Sequence, residues 1–401
     1  MEPIFAGLKV IDCGSFIASP VAATLLADYG ADVIKIEPPG GDTSRILPSL
    51  PGMPKAGDHP YTWMLDNRGK RGLALDLRLP EAQAVLQRLA AQADIFITNY
   101  PLQARARLGL DHERLMARND RLIYASFTGY GETGPEANKP GFDITAYWAR
   151  SGLMAMVLPD AGSPPARALP GMGDHPSGVS LFAAIMVALY QRERTGRGTR
   201  VGSSLLANGM WANGTQIQAA LCGGSFSKRP PREEYFNALS CHYRCRDRHW
   251  LILTTVNEER DWPRLAECLG LAELVQDARF GTRAARYDNR VALIAHFDAA
   301  FASRDRDDWC RILGEAGVVF ERIAEMADMA GDEQSRIAGV LVPFADDPAA
   351  LTLAGPFYVD GAGVSAPGKA PAIGEHTDAI LRQAGYGAAE ITALRQARAI
   401  A

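Results

Sequence analysis

Residues 8 to 36 constrain the fold more than any other stretch of the chain. Leu8-Lys9-Val10-Ile11-Asp12 reads as a short buried strand. Ser19-Pro20 supplies a cap and a first-turn proline for a helix running to about Tyr29. Asp32-Val33-Ile34-Lys35-Ile36 follows as a second strand. Two strands joined by one helix make a βαβ unit, whose crossover is right-handed and whose strands are parallel. The alternation recurs, with strands at Leu73 to Leu77, Ile95 to Thr98 and Leu122 to Phe127, and a helix from Pro80 to Ala93. This pattern predicts an α/β protein with a large, Rossmann-like parallel-sheet domain.

A long helix from about Ser177 to Arg194 closes this region, and the large domain is expected over residues 1–206. Residues 207–234, with Gly223-Gly224 and Lys228-Arg229-Pro230-Pro231, read as a linker. Residues 235–330 read as a smaller α+β domain and 331–344 as a second linker. Residues 345–401 are expected to return to the large domain. The 401 residues are 47% hydrophobic and 22% charged, enough for sizeable cores without metal or disulfide staples. A net charge of −4 offers no general attraction to nucleic acid or anionic lipid. No apolar run is long enough for a bilayer and no signal peptide is read, so a cytoplasmic protein without nucleic-acid or membrane partners is expected.

The chemistry-bearing stretch is Gly171-Met172-Gly173-Asp174-His175-Pro176-Ser177-Gly178. It sets a lone carboxylate where a glycine-rich turn meets a helix N-terminus. From local sequence alone, Asp174 reads either as a helix N-cap or as a carboxylate nucleophile that the helix dipole keeps anionic. His175 and His376 read as helix-terminal or packing histidines rather than bases.

Other motifs carry less. Gly129-Tyr130-Gly131-Glu132-Thr133-Gly134 follows a strand, but Pro135 and the polar stretch to Pro140 open no helix for a pyrophosphate. No P-loop and no G-x-S-x-G elbow occur. The six cysteines are scattered, which suits a reducing compartment. Cys241, His242, Cys245 and His249 are zinc-ligand types, yet a strand reading puts Cys241, Tyr243 and Cys245 on one face and His242 on the other, so no metal is expected. Lys35, Arg45, Lys70, Arg71, Arg105 and Arg107 cluster at strand edges. Each reads as surface, or jointly as a receiver for a phosphorylated ligand.

Taken in order along nearly the whole chain, these segments resemble the class III CoA-transferase family, which includes α-methylacyl-CoA racemases. The resemblance is carried by Leu8 to Asp42, Asn67 to Leu77, Asn99 to Leu110, Gly129 to Pro135, Pro140-Gly141-Phe142-Asp143, Gly173-Asp174 through Gly198, and Gly374-Glu375-His376-Thr377-Asp378. It implies an interlocked homodimer and a CoA-transferase fold, with acyl-CoA as substrate rather than as a tightly bound cofactor. It also implies a carboxylic acid acceptor and Asp174 as the nucleophile, passing through an aspartyl anhydride and an aspartyl-CoA thioester. Residues matching Phe16, Ile17, Ala18, Leu75, Asn99, Tyr100 and Arg107 are implied CoA contacts.

Departures refine the reading. Phe142 stands where racemase members carry a histidine base, which favours transfer over racemisation unless His175 substitutes. Ile17 replaces a glutamine of formyl-CoA transferase, Pro38 replaces a CoA-contacting arginine, and no glycine-rich lid is visible around Val256 to Glu259. Oxalate and formate are therefore not expected as substrates. Arg45 or Arg71 are expected to supply part of the CoA grip, and Phe142, Asp143 and His175 to line the substrate pocket. A racemase or epimerase of the same fold, or a CoA binder without catalysis, are the alternatives.

Overall fold

A computed structural model describes residues 2–364 and 367–401; Met1, Ser365 and Ala366 lie outside the described residues. The chain divides into two compact units. The first comprises residues 1–154, 167–222 and 333–401, and the second residues 155–166 and 223–332.

The first unit is built on a parallel sheet. Strands β1 (Lys9–Cys13), β2 (Asp32–Glu37), β3 (Arg71–Ala74), β4 (Ile95–Thr98), β5 (Ile123–Thr128) and β6 (Arg200–Ser204) lie in the order β3-β2-β1-β4-β5-β6. Every pairing is parallel. Side chains alternate between the faces, as strand geometry requires. Val10, Ile95, Ile97, Ile123 and Ala125 enter one core. Ile11, Phe96 and Tyr124 enter the other. Helix α1 (Ala18–Asp28) is buried along its entire length, because it is sandwiched between the sheet and the long helix α3 (Asp174–Thr195). On the opposite face lie α2 (Pro80–Ala90) and two C-terminal helices, described below, which contribute Ile380, Leu381 and Ile391.

The strand order reverses between β1 and β4, so their following loops diverge and leave a crevice at the carboxyl edge of the sheet. The loops facing it are Gly14 to Ile17 and Asn99 to Pro101.

Local boundaries differ from the sequence reading in instructive ways. Helix α1 begins at Ala18, so Ser19 sits inside its first turn and Ile17 occupies the cap position. Strand β3 spans Arg71–Ala74, because Leu75 leaves the ladder to bridge Ile400. Residues 207–222, read as linker, belong to helices α4 (Leu205–Ala212) and α5 (Gly214–Leu221) of the first unit. Residues 155–166, read within the large domain, group instead with the second unit.

The second unit contains the antiparallel strands β7 (His242–Arg244), β8 (Trp250–Leu253) and β9 (Phe320–Arg322). They pack with α6 (Glu258–Cys268), α7 (Arg290–Phe301) and α8 (Arg306–Glu315) around Tyr243, Trp262, Phe297, Phe301 and Trp309. Cys241 and Cys245 are buried in this core, and His242 is exposed on the other face. Back in the first unit, β10 (Leu341–Pro343) and β11 (Leu351–Leu353) form a short hairpin before α9 (Thr377–Gln383) and α10 (Ala388–Gln396). No helix among the described residues is long and apolar enough to cross a membrane.

Candidate active site

The crevice at the sheet's switch point opens into a cavity of about 500 Å³. It brings together Phe16, Ile17, Ala18, Asn99, Tyr100, Phe142, Asp143 and Asp174, eight of the residues singled out from sequence.

Asp174 is the first residue of α3, with Gly173 rather than Asp174 in the cap position. The preceding turn needs its glycines. Gly171 has a φ of +93°, a conformation that L side chains rarely adopt. A Cβ on Gly173 would lie 2.5 Å from the Tyr147 ring and 2.8 Å from Asp143 Oδ1. The turn is gripped by Asp143, whose Oδ2 accepts hydrogen bonds from the Gly171 and Gly173 amides at 2.8 and 3.2 Å. Asp143 begins a π-helical segment, Asp143–Ala149, and its Oδ1 is buried without a partner.

Other influences act on Asp174 besides the helix N-terminus, which favours its anion. Burial, followed by the neighbouring charge of Asp143, pushes its carboxyl up to about 7. His175 pulls the other way. Its Nδ1 lies 2.9 Å from the Gly171 carbonyl, which can only accept, and its Nε2 lies 3.0 Å from Asp66 Oδ1. Donation from both nitrogens is the mark of an imidazolium. Burial opposes that charge, but Asp66 and the Gly171 carbonyl hold the ring above its ordinary value. Although adjacent in sequence to Asp174, His175 lines a separate apolar cavity of about 490 Å³ with Leu25, Leu65 and Val179.

The opposite wall is a tethered turn. Gly14 donates to Asp12 Oδ1 at 3.0 Å, and its carbonyl accepts from the buried Lys35 ammonium. Asn99 spends both ends of its amide on Ser15, accepting from its N–H at 2.8 Å and donating to its carbonyl at 2.7 Å. Phe16 donates its N–H to Asp42 Oδ1 at 3.3 Å and is held at a φ of 60°. Such a left-handed conformation costs a bulky residue on the order of 1–3 kcal/mol, and the surrounding bonds sustain it. Lys35 lies 3.3 Å from Asp42, and Lys70 lies 2.8 Å from Asp12. All four side chains are buried. Burial and the adjacent Lys35 bring the Lys70 ammonium down to about 8, although Asp12 counters them.

The basic cluster read from sequence therefore does not assemble into one anion receiver. Lys35 and Lys70 lie beneath the turn. Arg45 pairs with Glu37 at 2.7 Å and lies over the Trp63 ring at 3.6 Å. Arg105 pairs with Glu132 at 2.7 Å. Arg71 begins β3 at the opposite edge of the sheet from the cavity, paired with Asp32 at 2.7 Å. Arg107 is exposed outside the cavity lining, and the Leu75 side chain is buried in the core. Sequence reading missed Asp42 and Lys35 as tethers and Asp66 as the partner of His175. Only the carboxylate of Asp42 beside a strand-end glycine pair hinted at the first of these.

The family model described as CoA-transferase family III matches residues 5–377, almost the full chain. The chain belongs to CoA-transferase family III. Among relatives of the family, the (R)-2-hydroxy-4-methylpentanoate CoA-transferase of Clostridioides difficile is 30% identical over 399 residues, covering 99% of each chain. The cinnamoyl-CoA:phenyllactate CoA-transferase of Clostridium sporogenes is 32% identical, covering 98% of this chain and 96% of its own. A crystal structure of a CAIB/BAIF family protein from Brucella suis superposes with a TM-score of 0.85 at 30% identity, covering 96% of this chain and all of that one. As a CoA-transferase family III member, the chain is an enzyme of the CoA-transferase class acting on acyl-CoA.

Proposed function

We propose that this enzyme moves CoA from an acyl-CoA donor to a free carboxylic acid through covalent intermediates on Asp174. The observation that carries the reading is a carboxylate lining the switch-point cavity at the start of α3, held by a glycine turn, with burial and Asp143 pushing it up to about 7. An Asp174 oxygen attacks the thioester carbonyl carbon, the C–S bond breaks, and CoA leaves as thiolate with an acyl-aspartyl anhydride behind it. The thiolate attacks the Asp174 carbonyl carbon and expels the donor acid, leaving an aspartyl-CoA thioester. The acceptor carboxylate displaces the thiolate to give a second anhydride. Thiolate attack on the acceptor carbonyl then yields the new acyl-CoA and regenerates the Asp174 carboxylate. No net proton is consumed.

The environment suits this sequence. A raised pKa makes the ionised Asp174 a better nucleophile than an ordinary carboxylate, while leaving it about half ionised at pH 7 and increasingly so above it. The N–H groups of Gly171 and Gly173 are committed to Asp143, which fixes the turn rather than the substrate. Racemisation would need a base facing the substrate α-carbon. Phe142 cannot serve, and His175 faces the other cavity. Phe16, Ile17, Ala18 and Tyr100 are proposed to contact the pantetheine and acyl portions of CoA, while Asn99 acts on the Ser15 turn. Arg107 is proposed to meet CoA only outside the cavity. The six free cysteines fit a cytoplasmic protein, and the family resemblance supports an interlocked homodimer. Asp174→Asn is expected to lower transfer by on the order of 10⁴-fold. Transfer near the wild-type rate in that variant would overturn the mechanism.

A further inference from the structure

Among the described residues, no lysine, arginine or histidine of this chain lines the cavity holding Asp174. Three cations of the surrounding segments are committed elsewhere, Arg45 to Glu37, Arg105 to Glu132, and Lys35 to Asp42, and Arg107 is exposed outside the lining. Among the described residues of this chain, the ionisable side chains lining the space are Tyr100, Asp143 and Asp174. Ser15, Asn99 and Thr128 add uncharged polar groups, and the rest of the wall is mostly apolar, with Ile17, Leu47, Phe127, Phe142 and Leu205 prominent. Phe16 and Phe142 meet edge to face, their centroids 5.4 Å apart and planes at 77°. Phe142 is nonetheless 58% exposed.

We infer that this cavity selects acids bearing a single carboxylate and an apolar, preferentially aromatic, side chain, and that it rejects dicarboxylates. The inference rests on the CoA-transfer reading above. One carboxylate of the acceptor is consumed at Asp174 as the attacking group. A second would be buried without a counter-cation and beside Asp143, where desolvation and like-charge repulsion both oppose it. An aromatic side chain instead buries apolar surface and adds an edge-to-face contact with Phe142. Phe16 is the fixed partner in that wall, because the Asp42 and Asn99 tethers hold its backbone. Phe142 is thereby a specificity-determining residue.

The test uses the full-length enzyme with butyryl-CoA as donor and four acceptors: 3-phenylpropionate, 4-methylpentanoate, succinate and glutarate. Product acyl-CoAs are separated chromatographically. Formation of the aspartyl adduct from butyryl-CoA alone, read by mass spectrometry, monitors the underlying mechanism separately. The expected result is a kcat/KM for the two apolar acids at least about 100-fold above that for the dicarboxylates, with 3-phenylpropionate the best. Phe142→Arg is expected to shrink the ratio of 3-phenylpropionate to succinate by about 10-fold or more. Transfer to succinate or glutarate with a kcat/KM equal to or above that of the apolar acids would overturn the specificity while leaving the mechanism intact. Absence of any adduct or transfer would overturn both.

Discussion

Asp174 sits between opposing influences, and its titration follows from naming them. Burial and Asp143 favour the neutral form, while His175 favours the anion. Because the anion is the nucleophile, kcat/KM should rise with pH through about 7 and then level off, as a pH–rate profile would record. Asp143→Asn removes a like charge while retaining an oxygen that can accept from Gly171 and Gly173. That rise should then move to lower pH. Stability has the opposite sense. Between the ordinary value of 3.8 and the folded value of about 7, the native state holds a proton that the unfolded chain releases. Stability therefore falls as pH rises through this window. Asp174→Asn should melt on the order of 2–5 °C above wild type at pH 8, with the gain vanishing near pH 4. The glycine-flanked position of Asp174 was legible in the sequence. Its elevated pKa was not, because Asp143 lies 31 positions earlier and meets it only through the fold.

At the scale of elements, the site depends on the turn between β1 and α1. Its backbone polar groups are bound by side chains from β1, from β2 and the loop after it, and from the end of β4. The turn is therefore rigid without being regular. Asn99 is only half-buried, so Asn99→Ala should leave the melting temperature nearly unchanged and lower kcat/KM by about 10-fold as Phe16 relaxes from its left-handed conformation. Lys35→Met is different in kind. It leaves Asp12 and Asp42 buried with one cation fewer and should cost about 3–5 kcal/mol, measured by denaturant unfolding. Sequence reading located the turn and Asn99 but read the lysines as surface charges or as joint receivers of a phosphorylated ligand, not as buried tethers. In one dimension a strand-end lysine is the same whether it projects outward or folds beneath the chain. Only the convergence of Asp12, Asp42 and Asp66 from separate segments resolves it.

For the molecule as a whole, the order β3-β2-β1-β4-β5-β6 is what places a cavity where chemistry can occur. The strand–helix alternation made the parallel sheet legible from residues 8 to 127. The partition between units was less so. Helices α4 and α5 lack a one-sided apolar stripe, with Met210, Trp211 and Leu221 all exposed in this chain. A periodicity argument has nothing to find there. The C-terminal return also carries weight energetically. Leu381 is fully buried in the core beneath α2, so Leu381→Ala should cost about 2–5 kcal/mol in denaturant unfolding, comparable to a central sheet position despite lying near the chain end.

The measurement that bears most directly on Asp174 is mass spectrometry of the enzyme incubated with an acyl-CoA donor and no acceptor, then reduced with borohydride. An aspartyl-CoA thioester would be reduced to an alcohol, so the peptide containing residue 174 should carry homoserine in place of aspartate, and only when donor was present. An unmodified Asp174 peptide from enzyme that still transfers CoA would contradict the account.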